Sequence, residues 1–349
     1  MQFVPPRCPN QSCEQHAKPA PGFCRRRGWY YPACRTEGVP RFRCRSCRCS
    51  FSRQTFRHDY RDRRPEANQP LFWMLVSGTG LRQAGRVLRL GIRAVQQKQR
   101  KMAAMCAHLH GNLCQQLPAG RTFVLDEEET YEGASIRPLT MPVLIEKETW
   151  FVVATGVAPI RRLAPVGSAR RLRQDLDEKH GIRPDRSREC VERVLNVLAS
   201  KVAAGAIVLH TDQKASYGTI AKALFGDRLT HVTTAGALVR HTHNPLFPIN
   251  TTLAMTRDNC GRLRRHSWLV TKLAIYLQAQ LFIFTVYRNY VRRRFNRDKE
   301  ADTAAKLLGL LPRNLRDHEL LAWRQDWGDR SIHPMSPLGT HTVRERLPA

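Results

Sequence analysis

Two aspartates carry the strongest chemical signal in this chain. Asp126 follows Thr122, Phe123, Val124 and Leu125, and Asp212 follows the apolar run that starts at Ala206 and ends at Thr211. Apolar runs of this length, bounded by polar residues, read as buried strands, so each carboxylate is expected to project from a sheet edge into a cleft. Paired acids in such a place suit divalent metal ions, and two ions about 4 Å apart would activate an attacking oxygen and stabilise a leaving one in in-line phosphoryl transfer. The competing reading is that both are turn formers at strand ends, a frequent role for Asp. Glu127, Glu128 and Glu129 follow directly, and strand alternation puts Glu128 on the side of Asp126. There it is either an auxiliary ligand or part of a solvated edge.

The substrate suggested by the rest of the chain is nucleic acid. Among 349 residues, 58 Lys and Arg stand against 29 Asp and Glu, a formal charge of +29. Such an excess is what phosphate neutralisation and counterion displacement call for. Hydrophobic residues make up 42%, enough for a sizeable core and two or three domains. No apolar run approaches the roughly 18 residues of a membrane span, and the start of the sequence lacks a secretory pattern. The expected location is the cytoplasm.

Seven of the 11 cysteines fall in the first 50 residues, a clustering that favours metal binding over a disulfide framework. Cys8 and Cys13 form one pair and Cys44 and Cys47 another, and two such pairs can converge on one tetrahedral Zn2+. Phe42 and Phe51 flank the second pair as apolar cover. Residues 1–55 are accordingly read as a zinc ribbon whose folding free energy comes from the metal. The gap between Cys8 and Cys13 is longer than the usual knuckle, so Cys24, Cys34, Cys49 or His16 stays open as a substitute for Cys13.

Residues 56–70 read as a charged linker. A helix-turn-helix module is expected over 71–117, with a first helix ending at Gly78 and Gly80, a second over 81–88, and a third starting near Arg93 and running to about Leu113. Ala84, Val87, Leu88, Ile92 and Val95 are its expected core. Arg93, Gln96, Gln97, Lys98 and Arg100 are left outside, where Arg and Gln can reach base edges and phosphates of double-stranded DNA. An ordinary helical hairpin with a polar face is the alternative. Met102 and Met105 read as packing.

Residues 118–300 show strands over 122–126, 141–145 and 150–157, a basic loop over 161–188, a helix over 188–202, a strand over 206–211, a helix over 214–225, a strand over 229–233 and a long helical region from about Asn250. Early strands followed by alternating helices and strands describe an α/β domain, in an order that matches the ribonuclease-H-like fold. Residues 301–349 are a tail of unassigned role.

The segments Val124 to Glu132, Leu209 to Asp212, Asn244 to Met255 and Arg262 to Trp268 resemble bacterial insertion-sequence transposases of the insertion-sequence-one type, with zinc ribbon, helix-turn-helix and catalytic domain in that order. The resemblance implies a DDE-type enzyme that binds terminal inverted repeats and uses Mg2+ or Mn2+ at Asp126 and Asp212 to cleave and transfer DNA strands. It also implies a homodimer or larger assembly on DNA and a nucleoid-associated location. Such enzymes usually carry a third acid, most often Glu. The nearest match here is Asn250, whose carbonyl can ligate a hard cation but brings no charge. Asp258 is the alternative, although eight residues turn a helix about 80° past whole turns, so the two would not share a direction. Arg262, Arg264 and Arg265 on the long helix are expected to track DNA. A catalytically degenerate DNA-binding protein and a metal-dependent nuclease of the same fold remain as other readings.

Overall fold

The computed structural model describes residues 3–32, 36–162, 166–202, 205–239, 241–264, 267–329 and 336–338. Its N-terminal module is built on little apolar material. Helix α1 (Glu14–Ala17) precedes strands β1 (Cys24–Tyr30), β2 (Val39–Cys44) and β3 (Ser50–Ser52), an antiparallel sheet in the order β1-β2-β3. Phe23, Phe51 and Phe56 pack around Cys8, Cys13 and Cys44. Phe42 and Phe51 pair directly across β2 and β3, the cover expected of them.

Three helices follow, α2 (Asn68–Leu75), α3 (Leu81–Leu88) and α4 (Ile92–Leu113). Ala84 and Val95 are fully buried, whereas Val87 is 67% and Ile92 39% exposed. A helix of 8 residues has room for one narrow buried stripe, which Ala84, Gly85 and Leu88 occupy, so Val87 is corrected to a surface position, and Ile92, the exposed first residue of α4, is corrected likewise. Lys98 is corrected the other way. Its ammonium is buried, donating to Asp62 Oδ2 at 3.0 Å, the Arg64 carbonyl at 2.8 Å and Asn68 Oδ1 at 2.9 Å. Lys101 donates to the other Asp62 oxygen at 2.7 Å, so the charged linker is docked along α4. Met102 and Met105 are core residues.

The central sheet contains β4 (Thr122–Tyr131), β5 (Pro138–Glu146), β6 (Val152–Thr155), β8 (Ile207–Thr211) and β9 (Leu229–Thr233) in the order β6-β5-β4-β8-β9, with β7 (Ala158–Pro159) also paired to β5. β4 and β8 run parallel, as do β8 and β9, while β5 is antiparallel to β4 and β6. On one face Phe123, Leu125, Leu144, Ile207 and Leu209 pack beneath α4 and beneath α6 (Ser187–Lys201) and α7 (Ala215–Phe225). On the other, Val124, Val143 and Ile145 pack beneath α8 (Phe247–Asn259) and α9 (Ala274–Val286). Every position of β5 is buried, as a strand covered on both sides requires. This is a mixed α/β architecture.

Two expectations along this stretch are corrected. The basic loop over 161–188 contains α5 (Ser168–His180), a nearly all-polar helix that offers no apolar stripe to betray it; Arg171 with Asp175 and Arg173 with Asp177 sit at the i,i+4 spacing that supports such helices. The single long helix from about Asn250 is two helices, because the chain breaks at Cys260. A Cβ on Gly261 would stand 2.5 Å from the Gly78 carbonyl, and the Gly78 N–H donates to the Asn259 carbonyl at 2.9 Å. This close approach between the turn after α2 and the end of α8 leaves no room for a continuing helix, so Arg262 and Arg264 lie on the connecting segment.

Helices α10 (Ala304–Leu307) and α11 (Asp317–Leu321) belong to a C-terminal strap. Trp73 Nε1 and Gln69 donate to Asp317, Trp323 Nε1 donates to His108 at 3.0 Å, and Gln325 N–H donates to the Phe56 carbonyl at 2.9 Å. The strap thereby ties the cysteine module to α2 and α4. No helix among the described residues is long and apolar enough to cross a membrane.

Burial works against the Asp62 charge, but hydrogen bonds from Lys101 and Lys98 outweigh it and hold the carboxyl below its ordinary pKa. A carboxyl depressed in this way stabilises the fold above its unfolded pKa and loses that contribution as pH falls through the folded one. Lys98→Ala is expected to destabilise the protein by about 3 kcal/mol at neutral pH, read as a lower denaturant midpoint at unchanged slope. Adding Asp62→Asn should recover part of the loss, and an undiminished loss in the double variant would refute the pairing.

Candidate functional site

Four sulfurs meet at the base of the N-terminal module. Cys8, Cys13, Cys44 and Cys47 place their Sγ atoms all within 4.8 Å of one another, with Cys8 and Cys47 at 3.4 Å and Cys13 and Cys44 at 3.9 Å. Thiolates held about 2.3 Å from a tetrahedral zinc stand about 3.8 Å apart, so this geometry fits one ion held by four thiolates. The turn between Cys44 and Cys47 is closed by a Cys44 N–H bond to the Cys49 carbonyl at 2.9 Å, which brings both thiols to one side. Burial raises the Cys8 thiol. Burial also opposes ionisation at Cys47, but hydrogen bonds from the Cys49 backbone and the neighbouring thiols outweigh it and bring its pKa down to about 7. Cys24 and Cys49 stand outside the cluster, and His16 is engaged by the Cys8 carbonyl and Arg7. Cys34 lies outside the described residues.

The two aspartates are positioned by one strand pairing. Parallel β4 and β8 match Thr122 with Val208, Phe123 with Leu209 and Val124 with His210. Two residues further on each strand, Asp126 comes level with Asp212. Asp212 thus stands just past the end of β8, while Asp126 is a mid-strand residue of β4, which runs on to Tyr131 beyond its parallel partner, so the strand end expected at Asp126 is corrected; neighbouring strands lie about 4.8 Å apart. Each is partly buried. The Glu127 N–H donates to Asp126 Oδ1 at 2.8 Å, and the Lys214 N–H donates to Asp212 Oδ1 at 3.0 Å. Asp212 therefore does form a turn at the start of α7, and that turn fixes its carboxylate at the sheet edge.

Alternation along β4 divides its acids. Glu127 points to the α7 side, where Lys214 binds its carboxylate. Burial raises the Tyr217 hydroxyl, and the charges of Glu127, Asp126 and Asp212 raise it further. Lys214 and Tyr217 are not among the residues expected at the site. Their signal is present in the i,i+3 spacing immediately after Asp212, which puts both on one face of the first turn of α7. Asp126 and Glu128 share the α8 side, and Arg257 on α8 donates to Glu128 Oε2 at 2.7 Å. Glu128 is buried and ion-paired, in place of the solvated edge expected of it.

Asn250 lies seven residues before Arg257, nearly the same direction on α8, and so on the stripe that faces this side of β4. Its amide donates to the Leu246 carbonyl at 2.7 Å. Asp258 is exposed, its backbone carbonyl next to Gly78, on a different side of the helix. Among the described residues, the cysteine cluster is the only gathering of three or more His, Cys, Asp or Glu ligand atoms, and Asp126 and Asp212 belong to no such group.

The basic residues separate into surface and interior sets. Arg93, Gln97 and Arg100 are exposed on α4 and Gln96 is partly so. Arg82, Arg86 and Arg89, outside the expected set, extend the same cationic surface along α3. Arg262 is packed over the Tyr276 ring at 5.2 Å, and burial lowers its pKa to about 10. Arg264 is exposed, and Arg265 lies outside the described residues. No protein-family model matches the chain, and no curated protein matches it either.

Substitution separates the sulfur ligands from their neighbours. Cys8→Ser, Cys13→Ser, Cys44→Ser or Cys47→Ser is expected to abolish zinc retention measured by atomic absorption on the purified full chain, and to unfold the first strands as a chelator does. Cys24→Ser and Cys49→Ser should retain the metal. Loss of zinc in either of the latter would show that the ligand set is different.

Proposed function

We propose that this chain is a DNA transposase that binds the terminal inverted repeats of an insertion sequence and catalyses metal-dependent strand cleavage and transfer. The observation that carries the reading is the register of β4 with β8, which brings Asp126 of β4 level with Asp212 at the end of β8 in a protein of charge +29. The strand order β6-β5-β4-β8-β9, with β5 antiparallel among otherwise parallel neighbours, supports a ribonuclease-H-like domain, whose central first strand and adjacent fourth strand carry the two acids.

In this reading α3 and α4 act as a helix-turn-helix, their exposed arginines and glutamines meeting DNA, and the four-cysteine module is a zinc ribbon that extends the contact. Asp126 and Asp212 hold Mg2+ or Mn2+, with the Asn250 carbonyl on the facing stripe of α8 as the third donor. When bound there, the ion supplies charge neutralisation at the scissile phosphate and a more acidic attacking hydroxyl. Lys214 and Arg257 hold Glu127 and Glu128 in place on either side, keeping the carboxylates oriented. Two element ends must be joined in one reaction, which implies a dimer or larger assembly on DNA.

A second reading, a DNA-binding protein that no longer catalyses, is favoured by one observation: Asn250 brings no charge and its amide is turned back onto its own helix. The test is strand transfer with cleaved ends, a target plasmid and Mg2+. The transposase reading requires covalent joint molecules; a nuclease releases ends without joining them, and a binding protein does neither. Asp126→Ala and Asp212→Ala should each lower joint-molecule yield by about a thousandfold, the scale of losing a group that stabilises transition-state charge, while leaving end binding in a gel shift intact. Undiminished transfer by either variant would overturn the assignment of the two acids.

A further inference from the structure

A cavity of about 640 Å³ opens between α3 and the segment that joins α8 to α9. Its lining is cationic, with Arg82, Arg86, Arg262 and Lys272, and includes no Asp or Glu among the described residues. Beside it stands Trp268, 94% exposed. A bare indole on a folded surface is an unusual feature, because Trp is among the residues that gain most from burial. Arg262 is fixed over Tyr276 at 5.2 Å with its Nε buried and without a hydrogen-bond partner, so one donor at the cavity wall is unanswered by the protein.

The place of this cavity in the fold is equally specific. Thr271 accepts from the Gly133 N–H at 2.8 Å, and Glu132 Oε1 accepts from the Ala274 N–H at 2.8 Å. The joining segment is thereby bound to the chain just beyond the C-terminal end of β4.

We propose that this cavity holds an unpaired nucleotide of a DNA strand, with the base stacked on Trp268 and the flanking phosphates held by Arg82, Arg86 and Lys272. The proposal rests on DNA being the partner of this chain, but not on catalysis. Charge selects a polyanion over a protein segment or a lipid tail, and shape selects within polyanions. A duplex is too wide to enter a cavity of this size, whereas a single nucleotide fits, and an aromatic face stacks any base. Gln83 and Gln96, also in the lining, supply amide groups able to meet a base edge.

The test uses the full chain and two DNA probes of the same duplex sequence, one blunt and one with a short single-stranded extension containing 2-aminopurine. The protein is expected to bind the extended probe more tightly and to quench its fluorescence. Trp268→Ala should weaken the extended probe by about fivefold to a hundredfold, the range for one base stacked on an aromatic ring, restore the fluorescence, and leave blunt-duplex affinity unchanged. Trp268→Phe should keep most of the quenching. Equal weakening of both probes, or quenching that survives Trp268→Ala, overturns the proposal. Quenching lost in Trp268→Ala alongside absent joint molecules in the wild type keeps the nucleotide site and removes the transposase reading. Joint molecules with an unaltered probe preference in Trp268→Ala do the reverse.

Discussion

The parallel pairing of β4 with β8 is the constraint from which the rest of the site follows. These strands are separated in sequence by β5, β6, β7, α5 and α6, so their contact is non-local and has to be held by packing on both faces. Phe123 and Leu125 alternate with Val124 along β4, and the two sets are buried under different helices. A slip of one residue would exchange these faces and carry Asp126 and Glu128 together to the opposite side. The register that buries the core is therefore the register that levels the two carboxylates.

Helices outside the sheet make that register rigid. α9 buries apolar residues on two sides, with Leu277, Leu281 and Phe284 in one core and Ile283 and Val286 in the other, as befits a helix enclosed between layers. It joins α4 through a buried hydrogen bond from Gln99 to Gln280 at 3.0 Å, and Gln280 in turn donates to the Leu75 carbonyl at 2.8 Å. The helices that precede the sheet in sequence consequently share its core. A cationic surface on α3 and α4 is held in fixed relation to the strand pair that carries the acids.

How much of this is legible in the sequence varies with the locality of the physics. Leu229–Thr233 and Leu81–Leu88 match their expected bounds. Cys8, Cys13, Cys44 and Cys47 are readable from paired spacing, and the cluster closes as expected. The burial of Lys98 is not readable, since it depends on Asp62 being brought to α4 from 36 positions earlier. Nor is the break at Cys260, which arises where Gly261 meets Gly78 across the fold. Asp126 and Asp212 can be proposed from the ends of apolar runs, but their coming level depends on the pairing of β4 with β8.

The glutamates of β4 show why a run of acid is tolerated in so basic a chain. Glu127 is met by Lys214 from α7, Glu128 by Arg257 from α8, Glu129 by Arg162, and Glu132 by Arg137 and Arg183. Each pair reaches a different element, so the run that looks solvated in sequence is a hub that pins both layers of helices to the sheet. The cations of three pairs stay partly exposed, with Arg257 at 42%, Lys214 at 41% and Arg162 at 64%. Exposed pairs of this kind contribute little to stability, but their cations face the same solvent as an approaching polyanion. In the proposed reading, a DNA phosphate approaching Asp126 and Asp212 would find Lys214 and Arg257 beside them, held in place by the glutamates.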